Sequence, residues 1–335
     1  MSTATKAPQS EKAMKSKKSL GQTMAEKPII ALAVVFVGLY LVTGIQDPSL
    51  FTATGVRSTL LLACPLALFG AAQTLCMLTG GIDLSVAMTA NLAAYIAANQ
   101  SGEGAFVALS MAMTVAIAIG AINGIGVGVF KVNPLIMTLG MGSVLLGVIT
   151  VGLVGDGFLS GSTQILPLVR SISSGTILGP LPANLLILAT VSALLIWGLA
   201  RTGLGRSIYA IGDNEVACRL AGVRVWQVIV AVYVMAAALA ALAGLVFSGI
   251  SGSVGPDQTN AYLLPGVAAA VIGGTSIFGG FGGYSGTIMG ALILTILGRL
   301  LISLDTSDAV RQILYGLLVL VLAWAYVRLT GRRTA

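Results

Sequence analysis

Charged residues punctuate this chain so sparsely that the stretches between them are its most informative feature. Uncharged runs cover 28–46, 58–82, 84–102, 104–130, 132–155, 171–200, 225–256, 258–298 and 312–327. Within them apolar residues are near-continuous, without the strand alternation or one-sided helical stripe of a fold that faces water. Most runs reach the ~20 residues that a helix needs to cross ~30 Å of hydrocarbon. The run at 258–298 is long enough for two crossings and is interrupted by Gly279-Gly280-Phe281-Gly282-Gly283. The pattern predicts ten spans, at 29–46, 59–78, 84–99, 105–128, 134–154, 183–200, 225–249, 261–277, 286–302 and 310–327. The pair at 261–277 and 286–302 is short, and two half-helices that dip in and return would place the C-terminus on the same side.

Composition removes most alternatives to a membrane protein. The 335 residues are 56% hydrophobic and 9% charged, against roughly 25% charged in an ordinary globular chain. Histidine is absent, which removes the commonest general base and metal ligand, so no catalytic or metal-binding set is expected. Cys64 and Cys76 are 12 residues apart in one run, about 18 Å of helix, beyond the roughly 7 Å that a disulfide spans. With Cys218 in a polar loop, all three read as free thiols. Glycine at 43 residues suits close packing of helix backbones in lipid. Gly120, Gly124 and Gly128 recur every fourth residue and mark a contact face, within the chain or at a seam between two copies. Gly286 and Gly290 repeat that spacing, which suggests that spans 2–5 recur as 7–10.

The basic residues orient the chain. With the N-terminus inside, that side carries Lys6, Lys12, Lys15, Lys17, Lys18, Lys27, Lys131, Arg201, Arg206, Arg219, Arg224, Arg328, Arg332 and Arg333; the other carries Arg57, Arg170, Arg299 and Arg311. Such asymmetry places both termini in the cytoplasm, with Trp197, Trp226 and Trp324 at cytoplasmic span ends. The organisation is a basic tail (1–28), one transmembrane domain (29–328) and a C-terminal tail (329–335). The first run follows a basic tail as a signal peptide would, yet its 19 residues are too long and no A-x-A site follows, so it reads as a retained span. The loop 155–182, with Pro167, Pro180 and Pro182, suits an ordered cap or docking loop without a core of its own.

Function must then be sought in few polar places. The loop 201–224 (RTGLGRSIYAIGDNEVACRLAGVR) reads as a turn with an N-cap at Gly212-Asp213-Asn214, two helical turns over 215–221 and a C-cap at Gly222. Two turns are marginal in water, so a partner packs on them or the loop is a solvated, basic surface anchor. Asp83 follows Gly80-Gly81 and precedes an apolar run; an N-cap role accounts for it, and a gate is the alternative. Arg299 either snorkels to headgroups or contacts a pathway or partner. Gln73, Asn91, Tyr95, Asn123 and Asn133 are either hydrogen-bonding glue between helices or the lining of a hydroxyl-friendly path. No G-x-x-x-x-G-K-[ST] occurs, so ATP hydrolysis would have to come from another chain.

Three segments together carry a resemblance. Leu78-Thr79-Gly80-Gly81-Ile82-Asp83-Leu84-Ser85-Val86, Leu204-Gly205-Arg206 through Gly212-Asp213-Asn214-Glu215 to Ala221-Gly222-Val223, and Gly273-Gly274-Thr275-Ser276 through Gly279-Gly280 to Gly290-Ala291-Leu292-Ile293-Leu294 resemble the permease subunit of ribose/xylose-type sugar ABC importers, in the branched-chain amino-acid permease superfamily. The resemblance covers about 29–328, with Ala87 where Gly is usual and no basic residue in 280–284. It implies an all-α, cobalamin-importer-like (type II) permease fold in the bacterial inner membrane. It also implies two permease chains about a two-fold axis, a cytoplasmic ATPase with two nucleotide-binding halves, and a periplasmic or surface-tethered sugar-binding protein. That binding protein would dock near 47–57, 156–184, 251–260 and 303–311. ATP and magnesium would belong to the ATPase, leaving this chain without a cofactor, and no nucleic acid is implied. Gly212, Asp213, Asn214, Glu215, Ala217, Arg219, Leu220 and Gly222 would form the coupling helix seated on the ATPase. A branched-chain amino acid or another small solute is the alternative cargo. An ion-coupled transporter is the alternative mechanism, although Asp47, Asp83, Glu103, Asp156, Asp257, Asp305 and Asp308 all fall at expected span ends or loops.

Overall fold

The computed structural model describes residues 28–330 except Ser162 and Leu178, with side chains from Ile29 to Val321. The basic tail, Arg332 and Arg333 lie outside the described residues, as do the side chains of Trp324 and Arg328. The helices are α1 (Pro28–Gln46), α2 (Ala53–Leu78), α3 (Val86–Asn99), α4 (Ala105–Gly128), α5 (Pro134–Leu153), α6 (Pro167–Ser174), α7 (Asn184–Arg201), α8 (Gly203–Asp213), α9 (Glu215–Leu220), α10 (Val225–Ser251), α11 (Leu263–Ile272), α12 (Tyr284–Ser303) and α13 (Asp308–Thr330). Of these, α1, α2, α4, α5, α7, α10 and α12 are long and apolar enough to cross a membrane. The molecule is therefore a helical, multi-pass membrane protein.

Several expectations need correction. The span expected at 261–277 is a helix of only 10 residues, about 15 Å long, and the one expected at 84–99 has 14 residues, about 21 Å. Neither covers the bilayer alone. Within 155–182 the chain forms α6 and a two-stranded antiparallel hairpin of β1 (Thr176–Ile177) and β2 (Leu181–Pro182), a small departure from all-α. The loop 201–224 is mostly helical, because Thr202 caps Gly205 N–H and starts α8 where only a turn was expected. Cys218 is buried and not in a polar environment.

Small residues decide how the helices meet. Along α4 the residues at every fourth position, Ala108, Ala112, Ala116, Gly120, Gly124 and Gly128, are all buried and form one stripe against α10. A Cβ on Gly120 would come within 2.5 Å of the Tyr233 carbonyl oxygen, and one on Gly124 within 2.6 Å of Val230 Cα. With no hydrophobic effect to drive helices together in lipid, such backbone approach supplies the packing. Gly286 and Gly290 of α12 lie equally close to the Gly273 and Ala269 carbonyls at the end of α11. The centre of the bundle is α2, whose residues Ala63–Leu78 (63–78) are all buried. Pro65 inside it leaves the Leu61 carbonyl without its helical donor; Asn184 Nδ2, at the start of α7, donates to that oxygen at 2.9 Å.

Helix lengths follow a pattern. From α2 to α5 they are 26, 14, 24 and 20 residues; from α10 to α13 they are 27, 10, 20 and 23. Long, short, long, long recurs with the chain running the other way, as in an inverted repeat. The two ends of the bundle differ in chemistry. One, the basic end, carries Lys131, Arg201, Arg206, Arg219 and Arg224. At the opposite end Arg299 clamps the α1–α2 corner: Nε donates to Asp47 Oδ2 at 2.9 Å, and the guanidinium also reaches the Gly55 carbonyl, Ser58 and Ser49. Arg299 thus serves the fold and does not snorkel. Hydrogen bonds from Ser49 and then Arg299 hold the Asp47 carboxyl below its ordinary range. Gly124→Leu should lower stability by roughly 1–3 kcal/mol, read as loss of folded protein on heating in detergent. Gly38→Ala, where nothing lies within 4 Å of the added carbon, should not lower the melting temperature, since Ala is the better helix former.

Candidate functional site

The loop between α2 and α3 turns back into the bundle at the basic end. Gln73 Nε2 donates to the Asp83 carbonyl at 2.7 Å, and Thr138 Oγ1 accepts from Leu84 N–H at 3.0 Å. Asp83 Oδ1 accepts from both the N–H and the hydroxyl of Ser85, at 2.8 and 2.6 Å. Asn123 Nδ2 donates to that same hydroxyl oxygen at 2.9 Å. Asp83 therefore does not cap α3, whose first turn follows Ser85 without a side-chain cap; it holds Ser85 in a buried polar knot that joins α2, α3, α4 and α5. Tyr233 OH and Asn123 Oδ1 have no protein partner among the described residues. At that depth, ordered water is what would satisfy them.

Of the expected gate residues, Gln73, Asp83 and Asn123 come together in this knot. Tyr95 lies apart in an apolar cluster with Leu92, Ile119, Leu145 and Ile149. Asn91 is also elsewhere, donating to the Pro256 carbonyl. Asn133 caps α5 through Leu135 N–H.

Directly below the knot, three stretches of backbone touch. Gly280 N–H donates to the Leu78 carbonyl at 3.1 Å. Gly212 sits against both, so that an added Cβ would lie 2.4 Å from Gly280 N and closer still to the Leu78 oxygen. Gly279 and Gly280 adopt left-handed φ of 94° and 73°, a conformation open to glycine at little cost. Tyr209 of α8 donates its hydroxyl to the Gly282 carbonyl at 2.9 Å. The segments 78–86, 204–223 and 273–294, far apart in the chain, thus form one junction whose centre is glycine backbone.

On this junction stands α9. Asn214 caps it, its Oδ1 accepting from Ala217 N–H at 2.9 Å. Gly222, at φ 82°, ends it, with Val223 N–H returning to the Cys218 carbonyl at 3.0 Å. Asp213 closes α8 and Ala221 follows α9, so the helix is one residue shorter than expected. Glu215 in the first turn and Arg219 in the last suit the helix dipole and pair at 2.6 Å. Lys131 Nζ also binds Glu215 Oε1, at 2.8 Å, tying α9 to the turn between α4 and α5. These bonds, from Lys131 first and then Arg219, hold the Glu215 carboxyl below its ordinary range. Cys218 faces inward, while Val216 and Leu220 are 64% and 85% exposed. Sequence reasoning missed Lys131, Tyr209 and the Gly279-Gly280 contact; the signal for Lys131 was that it is the only lysine beyond the tail.

Comparison with known proteins places this architecture. The family model described as the branched-chain amino acid transport system / permease component matches residues 55–323. The chain belongs to this family. Among its curated relatives, the ribose import permease protein RbsC of Escherichia coli strain K12 is 35% identical over 300 residues, 89% of this chain and 92% of the relative. The fructose import permease protein FrcC of Rhizobium meliloti is 31% identical, over 90% of this chain and 85% of its own. The autoinducer 2 import system permease protein LsrC of Yersinia pseudotuberculosis is 32% identical, over 84% and 80%. No solved structure matches.

Two outcomes follow for this permease-family junction. Gly212→Ala should push α8 off Leu78 and Gly280 and destabilise the folded chain by roughly 1–3 kcal/mol, seen as a lower melting temperature. Because the Glu215 carboxyl is lowered from its ordinary 4.5, its hold on α9 is complete above that value and is lost as pH falls through the lowered one. Amide exchange at 218–221, corrected for its intrinsic rate, should therefore accelerate as the pH drops below 4.5; Glu215→Gln should abolish that pH dependence.

Proposed function

We propose that this chain is the membrane-spanning permease of an ATP-driven importer for a monosaccharide or related polyol delivered by a binding protein. What supports the cargo class is the set of relatives named for ribose and fructose import, matched over most of both chains. The basic end faces the cytoplasm, where its Lys and Arg excess belongs, and both termini lie there. A separate ATPase with two nucleotide-binding halves binds and hydrolyses ATP with magnesium, and two copies of this chain enclose the path about a two-fold axis. The fold is of the cobalamin-importer type, set in the bacterial inner membrane.

The coupling role falls to α9. A helix of six residues cannot hold itself in water, yet this one is capped at both ends, clamped by Lys131 and braced on the glycine junction, with Val216 and Leu220 left facing outward. Such an element passes a push from a partner into α2, α4 and α12 instead of absorbing it by unfolding. Glu215→Lys, which replaces attraction to Lys131 and Arg219 with repulsion, should leave membrane insertion intact and reduce sugar uptake by more than about tenfold, given that like charges in this spacing destabilise a short helix. Uptake at the wild-type rate in cells expressing that variant would sink the coupling assignment.

A further inference from the structure

Between α10 and α11 the chain does not stay at the surface of the bundle. Three contacts measure its descent from the end away from the basic loops. Asn91 Nδ2 donates to the Pro256 carbonyl at 2.5 Å, and Asn91 lies about 12 Å along α3 from its end at Asn99. Thr259 Oγ1 donates to the Ala87 carbonyl at 2.7 Å, about 18 Å from that same end. The Tyr262 ring stacks on Phe69 at 5.4 Å between centroids, and Phe69 lies about 24 Å along α2 from its start at Ala53. Only beyond Tyr262 does α11 begin. Irregular backbone over 252–259, closed by a single 3-10 turn at Asn260–Tyr262, therefore replaces α-helix through about half of the hydrocarbon thickness.

That arrangement is untenable against lipid. Among the described residues, no protein acceptor reaches the backbone N–H of Val254, Gly255 or Asp257, and each unsatisfied group costs several kcal/mol in hydrocarbon. The side chains of Ser253, Asp257 and Asn260 are exposed and Gln258 is half-buried; an unpaired carboxylate facing acyl chains would add a further penalty. Backbone of this kind is tolerated at depth where it is buried in protein or lines water, and the exposure of Ser253, Asp257 and Asn260 in this chain leaves the second. At its foot, Ala261 and Tyr262 also line a cleft of about 430 Å³ between α2, α12 and α13, which carries Ser58, Arg299 and Gln312. The two unusually short helices, α3 and α11, occupy corresponding places in the two halves, and α3 packs on the turn at Asn260–Tyr262 that leads into α11; transporters place their cargo at such interrupted helices.

We infer that 252–260 is one wall of a water-filled vestibule, open at the end away from the basic loops, that receives a polyhydroxylated solute. Asp257, Gln258 and Asn260 supply its hydrogen-bonding groups. A carboxylate accepts from two neighbouring hydroxyls, and a carboxamide offers one acceptor and two donors. The solute class rests on the importer reading above; the vestibule does not. A few water-competed bonds hold a sugar weakly, which suits a passage more than a store.

Cysteine scanning tests both parts separately. Cys64, Cys76 and Cys218 are buried, so background reaction with a charged, membrane-impermeant methanethiosulfonate added outside intact cells is low. Asp257→Cys and Asn260→Cys should label at least about tenfold faster than Leu194→Cys, whose side chain is 62% exposed on α7 and faces lipid. Labelling of the two vestibule positions no faster than that control overturns the inference, even if sugar is imported. Rapid labelling together with an absence of sugar uptake keeps the vestibule and removes the sugar reading. In reconstituted vesicles with the ATPase and binding protein, Asp257→Asn and Asn260→Ala should slow ribose-type uptake several-fold without changing the labelling of Ser253→Cys. Unaltered uptake in the double variant overturns the assigned hydrogen-bonding role.

Discussion

A backbone amide in the core of a bilayer has no solvent to turn to, and this structure is organised around that constraint. Where the chain is helical the problem is solved locally, which is why most of the molecule consists of long apolar helices. Where the helical ladder is broken or ends against other helices, a side chain takes its place. Pro65 costs α2 one bond, and Asn184 replaces it. The return of the chain after α2 leaves the Asp83 carbonyl exposed, and Gln73 occupies it. At the start of α2, the Gly55 N–H is capped by the Thr52 hydroxyl.

The same constraint explains why glycine concentrates where function does. Backbone groups satisfy one another only when backbones touch, and a Cβ on Gly212, Gly280 or Gly286 would keep them apart. At the basic end this produces a junction of α2, α8 and the loop before α12 that is stiff without large side chains. Packing between helices in lipid has little else to draw on. A permease that takes its energy from a cytoplasmic partner needs such a stiff point of application.

The two ends of the molecule meet on α3. Its start is held in the polar knot through Ser85, and its body carries the descending segment through Ala87 and Asn91. One helix of 14 residues thus touches the elements next to α9 and those next to the vestibule. Neither Asn91 nor Ala87 has chemistry that marks it in isolation; their neighbours give them meaning.

Much of this was legible in the residues alone. Hydropathy runs and sparse charge place the seven long apolar helices to within about six residues, since burial of a backbone in lipid leaves a long apolar signature. Asn214, Glu215, Arg219 and Gly222 declare α9 because capping and dipole effects act over one or two turns and need no tertiary context. The fourfold spacing of Gly120, Gly124 and Gly128 likewise marks a contact face. What the residues could not say is which surfaces meet. Lys131 and Glu215, Tyr209 and Gly282, and Thr259 and Ala87 are paired by distances that arise only when helices far apart in the chain are packed. The segment 252–262 is the clearest case. Its polar composition is the same for a surface loop and for backbone sunk into the membrane, and only its contacts with Asn91, Ala87 and Phe69 decide between them.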